Sequence, residues 1–465
     1  MKDYTYVYLI GIGGIGMSAV ARWCHAQQHL QVFGYDRASS ALTDQLIQEG
    51  IKIHFEDRVD AIPEEIMHHK AQSLIVYTPA ISPKNHVLNH LKANNYTLCK
   101  RAEILSILTQ DHLTLAVAGT HGKTTTSSLA AHILYNAGKN MVAFLGGISK
   151  GYASNLLVNG QTNKDTIVVI EADEFDRFFL RLHPHLAIVT TVDPDHLDIY
   201  GDAQGFKKAF QSFIALVPTT GKAIVHQKAA QQLRIDKDDA NIVCYALTNA
   251  TVSAENVYIK EGDFYFDYIS QEITIRNIRL TVPGYHNVEN ALAVITACLI
   301  LGLDAASIRE GLATFQGVKR RFDYVIRSEQ IIFLDDYAHH PVEITALLQT
   351  IRALYPGRSI TAVFRPHLYT RTRDLANEFA QSLDLADQVF LLDIYPDREE
   401  PIEGVTSACI FDQMTLEEKW MCSTEDNLID ALRKQGKPDI IVMIGAGGSS
   451  SFVARIRSFL LENWR

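Results

Sequence analysis

Apolar residues in this 465-residue chain occur in short runs that end at glycines or acidic clusters and alternate with amphipathic stretches. The opening run YVYLIGIGGIGMSAVARWCHAQQHLQVFGYD predicts a strand, a glycine turn, a helix and a second strand ending at Asp36. LTLAVAG predicts a buried strand, and after a short loop TTTSSLAAHILYNAG predicts a helix that stops at Gly138. Such alternation is typical of parallel α/β sheets, so we expect an α/β fold.

The same pattern divides the chain into three predicted domains. SLIVYTPAI predicts a strand and RAEILSILTQ a helix, which closes a first domain at 1–112. The second domain, 113–317, contains the strands TIVVIEADE and LAIVTTVDPDH and the helix NVENALAVITACLILG. From 241 to 282, short runs such as DFYFDYI and EITIRNIRLTV predict an extra small antiparallel sheet. The third domain, 318–465, ends in strand, glycine turn and helix in IIVMIGAGGSSSFVARIRSFL.

Composition narrows the class of protein. A hydrophobic content of 47% and a charged content of 21% are ordinary for a soluble globular chain. No apolar run approaches the roughly 20 residues of a membrane span, and Asp3 argues against a secretory leader, so we expect no membrane insertion. The net charge of -10 disfavours nucleic-acid binding. Six scattered cysteines without a C-x-x-C pair indicate reduced thiols and a cytoplasmic protein.

A shortened phosphate loop occurs in AGTHGKTTT. Gly119, Gly122, Lys123 and Thr124 lie between a predicted strand and helix, but Val117 stands where a full Walker loop has its first glycine. Backbone N–H groups and the helix N-terminus would converge on an anion. Lys123 would reach the phosphates, and the Thr124 hydroxyl would bind Mg²⁺.

Acidic clusters follow two strands of the second domain. Glu171 follows TIVVI, and His196 lies in DPDH after LAIVTTV, so both come at the sheet edge where parallel sheets bind ligands. Glu171 and Thr124 supply oxygen ligands that suit Mg²⁺, with His196 as a less usual nitrogen ligand. We expect the neighbouring Glu174 and Asp198 to cap helices or face solvent.

The opening turn matches G-x-G-x-x-G through Gly11, Gly13 and Gly16, with an acid at Asp36. The spacing predicts that a diphosphate approaches the backbone while Asp36 meets a ribose. This pattern does not separate NAD from a UDP-sugar, and a purely structural turn remains an alternative.

Further polar groups follow other strands. His286, Asn287 and Asn290 begin a helix and could contact a nucleotide, although such groups are often structural. The third domain offers three arginines suited to a carboxylate or phosphate, Arg365, Arg371 and Arg373. His339 and His340 are adjacent after a strand and should point apart, which favours structure or substrate contact over a metal.

Taken together, GIGGIGMS, AGTHGKTTT, EADE, DPDHLD, YHNVENA, KRRFD, DDYAHHP and PHLYTRTRD resemble the Mur ligases of bacterial peptidoglycan synthesis, in particular the branch that adds L-alanine. The resemblance runs through nearly the whole chain. It implies an N-terminal Rossmann-like domain for a UDP-sugar, a central P-loop-type ATPase domain and a C-terminal Rossmann-like domain for the amino acid. The implied reaction uses ATP and Mg²⁺ to join L-alanine to UDP-N-acetylmuramate. We expect the protein to be a monomer or a weak homodimer.

The resemblance also implies roles by position, with Lys123, Glu171 and His196 as the catalytic set. The implied ATP contacts are Gly119, Thr120, His121, Gly122, Lys123, Thr124, Thr125, His286, Asn287, Asn290 and Arg321, and the implied magnesium ligands are Thr124, Glu171 and His196. The implied substrate contacts are Gly11, Gly13, Gly14, Gly16, Asp36, Tyr337, His339, His367 and Arg371. Leu368 stands where many alanine-adding relatives have Arg, so the cation that holds the alanine carboxylate is open.

Three other functions fit part of the sequence. A murein-peptide recycling ligase would join the same UDP-sugar to a tripeptide, but GIGGIGM favours the alanine branch. An NAD-dependent dehydrogenase fits the opening turn and leaves the Gly-Lys-Thr loop and Glu171 unused. A nucleotide-operated binding switch would not need the metal ligands Glu171 and His196.

Overall fold

The computed structural model describes residues 4–78, 81–175, 177–195, 197–236, 239–397 and 399–464. Its first part comprises β1 (Tyr6–Ile10), α1 (Ile15–His25), β2 (Gln31–Tyr35), α2 (Ala41–Gln48), β3 (Lys52–His54), α3 (Glu64–His68), β4 (Ser73–Tyr77), α4 (His86–Ala93), β5 (Thr97–Lys100) and α5 (Arg101–Gln110), with 3-10 turns at Val59–Ala61 and Lys70–Gln72. The strands form a parallel sheet in the order β3-β2-β1-β4-β5. Alternate side chains of β1 enter different cores, because Val7 packs with α1 and α5 while Tyr8 packs with α3 and α4.

The central sheet places the predicted phosphate loop between two neighbouring strands. This part comprises β6 (Leu113–Ala118), α6 (Lys123–Asn136), β7 (Met141–Ser149), β8 (Ser154–Asn159), β9 (Ile167–Glu171), β10 (Leu186–Val189), α7 (Leu197–Tyr200), α8 (Ala203–Ile214), β11 (Lys222–His226), α9 (Gln227–Leu233) and β12 (Ile242–Tyr245), with a 3-10 turn at Phe178–Arg181. The order is β12-β11-β10-β6-β9-β7-β8, and β8 is antiparallel to β7. The loop after β6 therefore lies at the carboxyl ends of β9 and β10.

The extra sheet is smaller than the sequence pattern predicts. Its strands are β13 (Ser253–Lys260), β14 (Asp263–Ile269) and β15 (Thr274–Leu280), followed by α10 (Tyr285–Ile300) and α11 (Ala305–Thr314). The expectation that this sheet begins near residue 241 is wrong, because β12 pairs in parallel with β11 and extends the central sheet. A short apolar run does not by itself show which sheet it joins.

The described chain forms two units. The first contains Met1–Asn256, Phe266–Ile278 and Glu289–Gln316, and the second contains Val257–Tyr265, Arg279–Val288 and Gly317–Arg465. In the first unit the two large sheets share one hydrophobic core. Helix α1 contacts the β7–β8 hairpin, where the ring centroids of Trp23 and Phe144 lie 6.4 Å apart and buried Asn155 donates to the Ser18 hydroxyl at 2.9 Å.

The last part of the chain forms another mixed sheet with helices. It comprises β16 (Asp323–Arg327), β17 (Ile332–Asp336), α12 (Pro341–Leu354), β18 (Ile360–Phe364), α13 (Tyr369–Asp374), α14 (Ala376–Leu383), β19 (Gln388–Leu392), α15 (Ala408–Phe411), β20 (Lys419–Cys422), α16 (Glu425–Gln435), β21 (Ile440–Ile444) and α17 (Ser450–Asn463). The order is β16-β17-β21-β18-β19-β20, with β16 antiparallel to β17. The predicted α/β class is confirmed.

Two bulk predictions can also be compared with the structure. The six cysteines all lie within the described residues and are not joined to one another by disulfide bonds. Among the described residues, none of the helices combines the length and the apolar character needed to cross a membrane.

Candidate active site

The central loop is shaped by two glycines. Gly119 has φ +135°, and a Cβ there would lie 2.0 Å from Thr190 Oγ1. Gly122 has φ +82° and precedes α6 without a side-chain cap. Both positions therefore require glycine. Because no side chain caps α6, its first backbone N–H groups are available to an anion.

The segment after β10 anchors the loop. The Thr120 amide donates to Thr191 O at 3.0 Å, and the Thr120 hydroxyl donates to Asp193 O at 2.7 Å. The His121 amide donates to Thr191 Oγ1 at 2.9 Å. The shape of the loop thus depends on the neighbouring strand, as a loop at a parallel-sheet edge should.

Lys123 is held by a buried carboxylate. Its Nζ donates to Glu174 Oε1 at 2.9 Å and to Gly119 O at 2.6 Å, and the Glu174 side chain is 2% exposed. The expectation that Glu174 caps a helix or faces solvent is wrong, because the ammonium group of Lys123 needs a counter-charge in this buried place.

Charge and burial act against each other in this pair. Burial favours neutral Lys123, but Glu174, Asp173 and Glu171 outweigh it and raise the lysine pKa. Burial raises the pKa of Glu174 to about 7, although Lys123 acts to lower it. Lys123 therefore stays cationic beside the loop.

The predicted magnesium ligands can be placed in part. Glu171 ends β9 beside Val117 of β6, and its Oε2 accepts a hydrogen bond from the Gly146 amide at 3.1 Å. Thr124 lies in the first turn of α6 and is buried. His196 lies outside the described residues. The described part of the chain contains no cluster of three or more His, Cys, Asp or Glu side chains that could hold a metal.

The Glu171 carboxylate fits at its position because residue 146 is a glycine and has no side chain. A Cβ at Gly146 would lie 2.1 Å from Glu171 Oε2, so only glycine leaves the carboxylate where it is. Sequence analysis did not find Gly146, because nothing in the run MVAFLGGIS shows which strand it meets.

The residues at the start of α10 were expected to meet a nucleotide. Asn290 lies beside the central loop, since a Cβ at Gly122 would be 3.0 Å from its Oδ1. Asn287 is buried, and its amide donates to Pro283 O at 2.6 Å. His286 packs over Gly284, whose Cβ would lie 2.5 Å from the His286 ring. Asn290 therefore lies beside the central loop, while its role as an ATP contact stays a prediction.

The first glycine turn is fastened by the acid at the end of β2. The Gly13 amide donates to Asp36 Oδ2 at 2.7 Å, and the Arg37 amide donates to Asp36 Oδ1 at 2.7 Å. Gly11 has φ +81°, and Gly14 precedes α1 without a side-chain cap. Asp36, predicted as a ribose contact, therefore also holds the turn in shape.

In the second unit, a polar cluster joins the strand β17 to the helix α12. The His339 amide donates to Glu343 Oε2 at 3.0 Å, and Arg321 Nη1 lies 3.6 Å from Glu343 Oε1. The rings of Tyr337 and His339 pack edge to face at 5.4 Å. Burial lowers the pKa of His339 to about 3 despite Glu343, so its imidazole is neutral near pH 7.

His367 and Arg371 lie near this cluster. The His367 ring centroid is 6.1 Å from that of His339, and the charge of Arg371 acts to lower the pKa of His339. Arg371 is buried, and Leu368, also buried, has φ +72°. The structure thus brings Tyr337, His339, His367 and Arg371 into one region.

Two other candidate arginines are engaged within the domain. Arg365 Nη1 donates to Gly448 O at 2.5 Å, and its guanidinium lies 5.0 Å from the Tyr395 ring centre. Arg373 pairs with neighbouring Asp374 at 2.7 Å.

Two carboxylates in these clusters were not predicted as functional. Glu174 binds Lys123, and Glu343 contacts His339 and Arg321. Their proximity in sequence to predicted acids and histidines was the available signal, but Lys123 and Glu174 are 51 residues apart along the chain.

Three family models match the chain in order. The Mur ligase family catalytic domain matches residues 6–112, the Mur ligase middle domain matches 117–298, and the Mur ligase glutamate ligase domain matches 320–447. Similar proteins include UDP-N-acetylmuramate–L-alanine ligases from Christiangramia forsetii and Flavobacterium johnsoniae, each 43% identical. The alignment with the first relative covers 99% of this chain and 100% of the relative. The alignment with the second covers 100% of this chain and 99% of the relative.

Solved structures show the same architecture. The UDP-N-acetylmuramate-alanine ligase of Thermotoga maritima superposes with a TM-score of 0.79 at 27% identity, covering 98% of both chains. A murein peptide ligase from Psychrobacter arcticus has the same fold, with a TM-score of 0.70 at 23% identity over 98% of both chains. Because the family models cover the three regions and relatives align end to end, this chain belongs to the Mur ligase family.

Proposed function

We propose that this protein is an ATP-dependent ligase that joins L-alanine to the carboxylate of UDP-N-acetylmuramate during synthesis of the peptidoglycan precursor. One observation carries the proposal: a strand, a glycine loop and a helix place Lys123 beside the buried carboxylate of Glu174, in a chain similar end to end to alanine ligases. We propose domains at 1–112, 113–317 and 318–465 for the UDP-sugar, ATP and the amino acid.

The residues of the central loop fit a nucleoside triphosphate. Gly119 and Gly122 leave no side chain over the start of α6, and Lys123 supplies a cation there. Thr120, His121, Thr124 and Thr125 complete the loop, and Asn290 lies next to Gly122. His286, Asn287 and Arg321 remain proposed ATP contacts.

Thr124 and Glu171 supply oxygen ligands that fit magnesium, and His196 is the third proposed ligand. When bound, magnesium neutralises phosphate charge that would otherwise repel the carboxylate of the sugar acid. Gly146 keeps Glu171 at the carboxyl end of β9.

The chemistry has two balanced steps. A carboxylate oxygen of the sugar acid attacks the γ-phosphorus of ATP, the bond to the bridging oxygen breaks, and ADP leaves. The neutral amine of L-alanine then attacks the acyl carbon, loses a proton, and inorganic phosphate leaves as the amide forms. The proposed role of Lys123 is to stabilise the charge on the transferred phosphoryl group.

The last domain is the proposed amino-acid site. Arg371, His367, His339 and Tyr337 lie in one region, and the imidazole of His339 is neutral there. Leu368 is apolar, so Arg371 is the proposed partner of the alanine carboxylate.

The runner-up is a ligase that adds a tripeptide to the same UDP-sugar. The similarity to alanine ligases along the whole chain favours alanine. A monomer or weak homodimer, a cytoplasmic location and the absence of nucleic-acid binding remain predictions.

A phosphate-release assay tests the proposal. UDP-N-acetylmuramate, ATP and Mg²⁺ are supplied with L-alanine, glycine, L-serine or the tripeptide in separate reactions. The amide product is identified by its mass in mass spectrometry. We expect rapid release and product with L-alanine. Release only with tripeptide, or phosphate without amide, would contradict the proposal.

Lys123→Ala tests the loop itself. We expect kcat/KM to fall by about 10²- to 10³-fold or more, because a preorganised charge is lost from the transition state. The control is Lys208→Ala, an exposed lysine on α8, which should keep wild-type activity. Undiminished turnover by Lys123→Ala would remove the loop from the mechanism.

A further inference from the structure

One arginine outside the predicted site lies directly over the first glycine turn. A Cβ built on Gly16 would be 2.0 Å from Arg101 Nη1, 3.0 Å from its Cζ and 3.3 Å from its Cδ. The guanidinium therefore covers the Cα of the third glycine of the G-x-G-x-x-G turn. Gly16 is needed here because any larger residue would displace Arg101.

The topology explains how Arg101 reaches this turn. Arg101 is the first residue of α5 and follows β5, while the turn follows β1. In the parallel sheet, Ile10 pairs with Tyr77 of β4, and Tyr77 pairs with Lys100 of β5. The strands β1 and β5 thus end at the same level, and the residues that follow them share the ligand-binding edge.

The charge of Arg101 has no counter-charge in the surroundings that the structure describes. It is partly buried, yet it makes no hydrogen bond or ion pair with a described residue. The acid nearest in sequence, Glu103, is already engaged, since it accepts from the Lys100 amide at 2.7 Å and lies 3.5 Å from Arg181. By contrast, Arg22 in the same unit pairs with Glu49 at 2.8 Å.

The acid at this turn, Asp36, is engaged by the Gly13 and Arg37 amides, and the helix that follows adds no negative charge of its own. The 11-residue helix α1 has no acidic residue in its first turn and no side-chain cap. Its N-terminal N–H groups and the Arg101 cation therefore act on the same region with the same sign of charge. An anion placed there would meet both.

We propose that Arg101 is a further substrate-binding residue that holds the diphosphate of the UDP-sugar against the first glycine turn. The inference rests on the proposed function, which supplies the UDP-sugar. A guanidinium offers paired donors that match phosphate oxygens, and the glycine turn admits a diphosphate close to the backbone. Gly16 serves this contact by leaving room for the arginine.

Binding of UDP and of uridine, measured by titration calorimetry, tests the assignment. Arg101→Ala should weaken UDP binding by roughly 10- to 100-fold, because a hydrogen-bonded charge is lost, and leave uridine binding unchanged. Arg101→Lys keeps the charge but lacks the paired N–H donors of the guanidinium. Its affinity for UDP should therefore lie between those of the wild-type chain and of Arg101→Ala. Arg58→Ala is the matched control, because Arg58 is an exposed arginine in the same domain that pairs with Glu56 and Asp60.

Steady-state kinetics provides the second readout. Arg101→Ala should raise the KM for UDP-N-acetylmuramate by a similar factor while the KM for ATP and the thermal unfolding temperature stay at wild-type values. Wild-type affinity of Arg101→Ala for UDP would overturn the inference. A loss confined to UDP-N-acetylmuramate, with UDP unaffected, would also overturn it, because Arg101 would then contact the sugar carboxylate.

These outcomes separate the inference from the proposed function. If the wild-type chain binds UDP and forms the amide but Arg101→Ala behaves identically, only the role of Arg101 fails. If the wild-type chain neither binds UDP nor forms the amide, the proposed function fails and the inference fails with it.

Discussion

The two glycine turns of the first unit share the order strand, turn and helix, but their cations are balanced differently. At the central loop, Lys123 is paired with Glu174, a carboxylate that is 2% exposed. At the first turn, Arg101 has no such partner among the described residues. The central loop therefore carries its own counter-charge, whereas the cation at the first turn has none among the described residues.

Burial explains the difference. The Lys123 side chain is 13% exposed, so water cannot replace a lost partner. Arg101 is only partly buried, and water can solvate part of its guanidinium. The comparison predicts that loss of the partner carboxylate Glu174 lowers stability at the central loop, whereas loss of Arg101 lowers ligand affinity at the first turn.

The largest expected effect is that of Glu174→Ala. Removal of this carboxylate leaves the buried Lys123 charge unpaired and should lower the local stability of α6 by about 3–5 kcal/mol. Arg101→Ala should leave the local stability of α1 unchanged. Amide hydrogen exchange in α6 and α1 measures both, and equal losses in the two helices would remove the distinction.

Next in size is Gly119→Ala. The new Cβ would meet Thr190 Oγ1 at 2.0 Å and the Thr191 backbone N at 2.9 Å, at φ +135°. We expect a loss of about 3 kcal/mol in α6. Gly16→Ala instead meets the movable end of Arg101, so it should cost less than about 1 kcal/mol while weakening UDP binding. Similar losses of stability in both variants would contradict this account.

Acid should loosen the helix of the central loop. His132 in α6 is buried against Tyr152 and Thr314, and burial lowers its pKa from 6.5 to about 4. The folded state favours the neutral ring, so the contribution of His132 to the free energy of unfolding is complete above pH 6.5 and falls as the pH drops. Local stability should decrease by about 2 kcal/mol at pH 5.

The pH dependence of hydrogen exchange in α6 provides the measurement. His132→Gln should remove most of this dependence between pH 6.5 and 4. If the variant and the wild-type chain lose protection in parallel, another group is responsible.

Asp36→Asn should have a smaller effect than Glu174→Ala or Gly119→Ala. The carboxylate accepts hydrogen bonds from the Gly13 and Arg37 amides, and an amide keeps one acceptor but loses the charge. We expect a loss of about 1 kcal/mol in α1 and no change in α6. Unchanged protection in α1 would show that Asp36 does not fasten the turn.

Sequence reasoning found the features that depend on neighbouring residues. Glycines at fixed spacing predict the turn at Gly11–Gly16 and the loop at Gly119–Gly122, and apolar periodicity predicts the flanking strands and helices. It did not find the contact of Glu174 with Lys123 or of Arg101 with Gly16. These contacts depend on sheet order, which local patterns do not encode.

The last glycine turn shows this limit most directly. The motif IGAGGSS begins at the last residue of β21, just as IGIGGIG begins at the last residue of β1. At this last turn, however, Arg320 donates to Gly445 O at 2.5 Å and to Ser449 Oγ at 2.6 Å. A Cβ at Gly447 would lie 2.1 Å from the Tyr395 ring. The same local pattern therefore meets different side chains in the two turns. At the last turn Arg320 is bonded to the turn itself, whereas at the first turn Arg101 lies against Gly16 without a hydrogen bond or ion pair to a described residue.

Hydrogen exchange of the wild-type chain with separate ligands tests most directly whether the two turns hold different phosphates. A non-hydrolysable ATP analogue with Mg²⁺ should protect amides 119–126 and leave 11–18 unchanged, whereas UDP should protect 11–18 and leave 119–126 unchanged. Protection of the first turn by the ATP analogue, with no change at the central loop, would contradict the account.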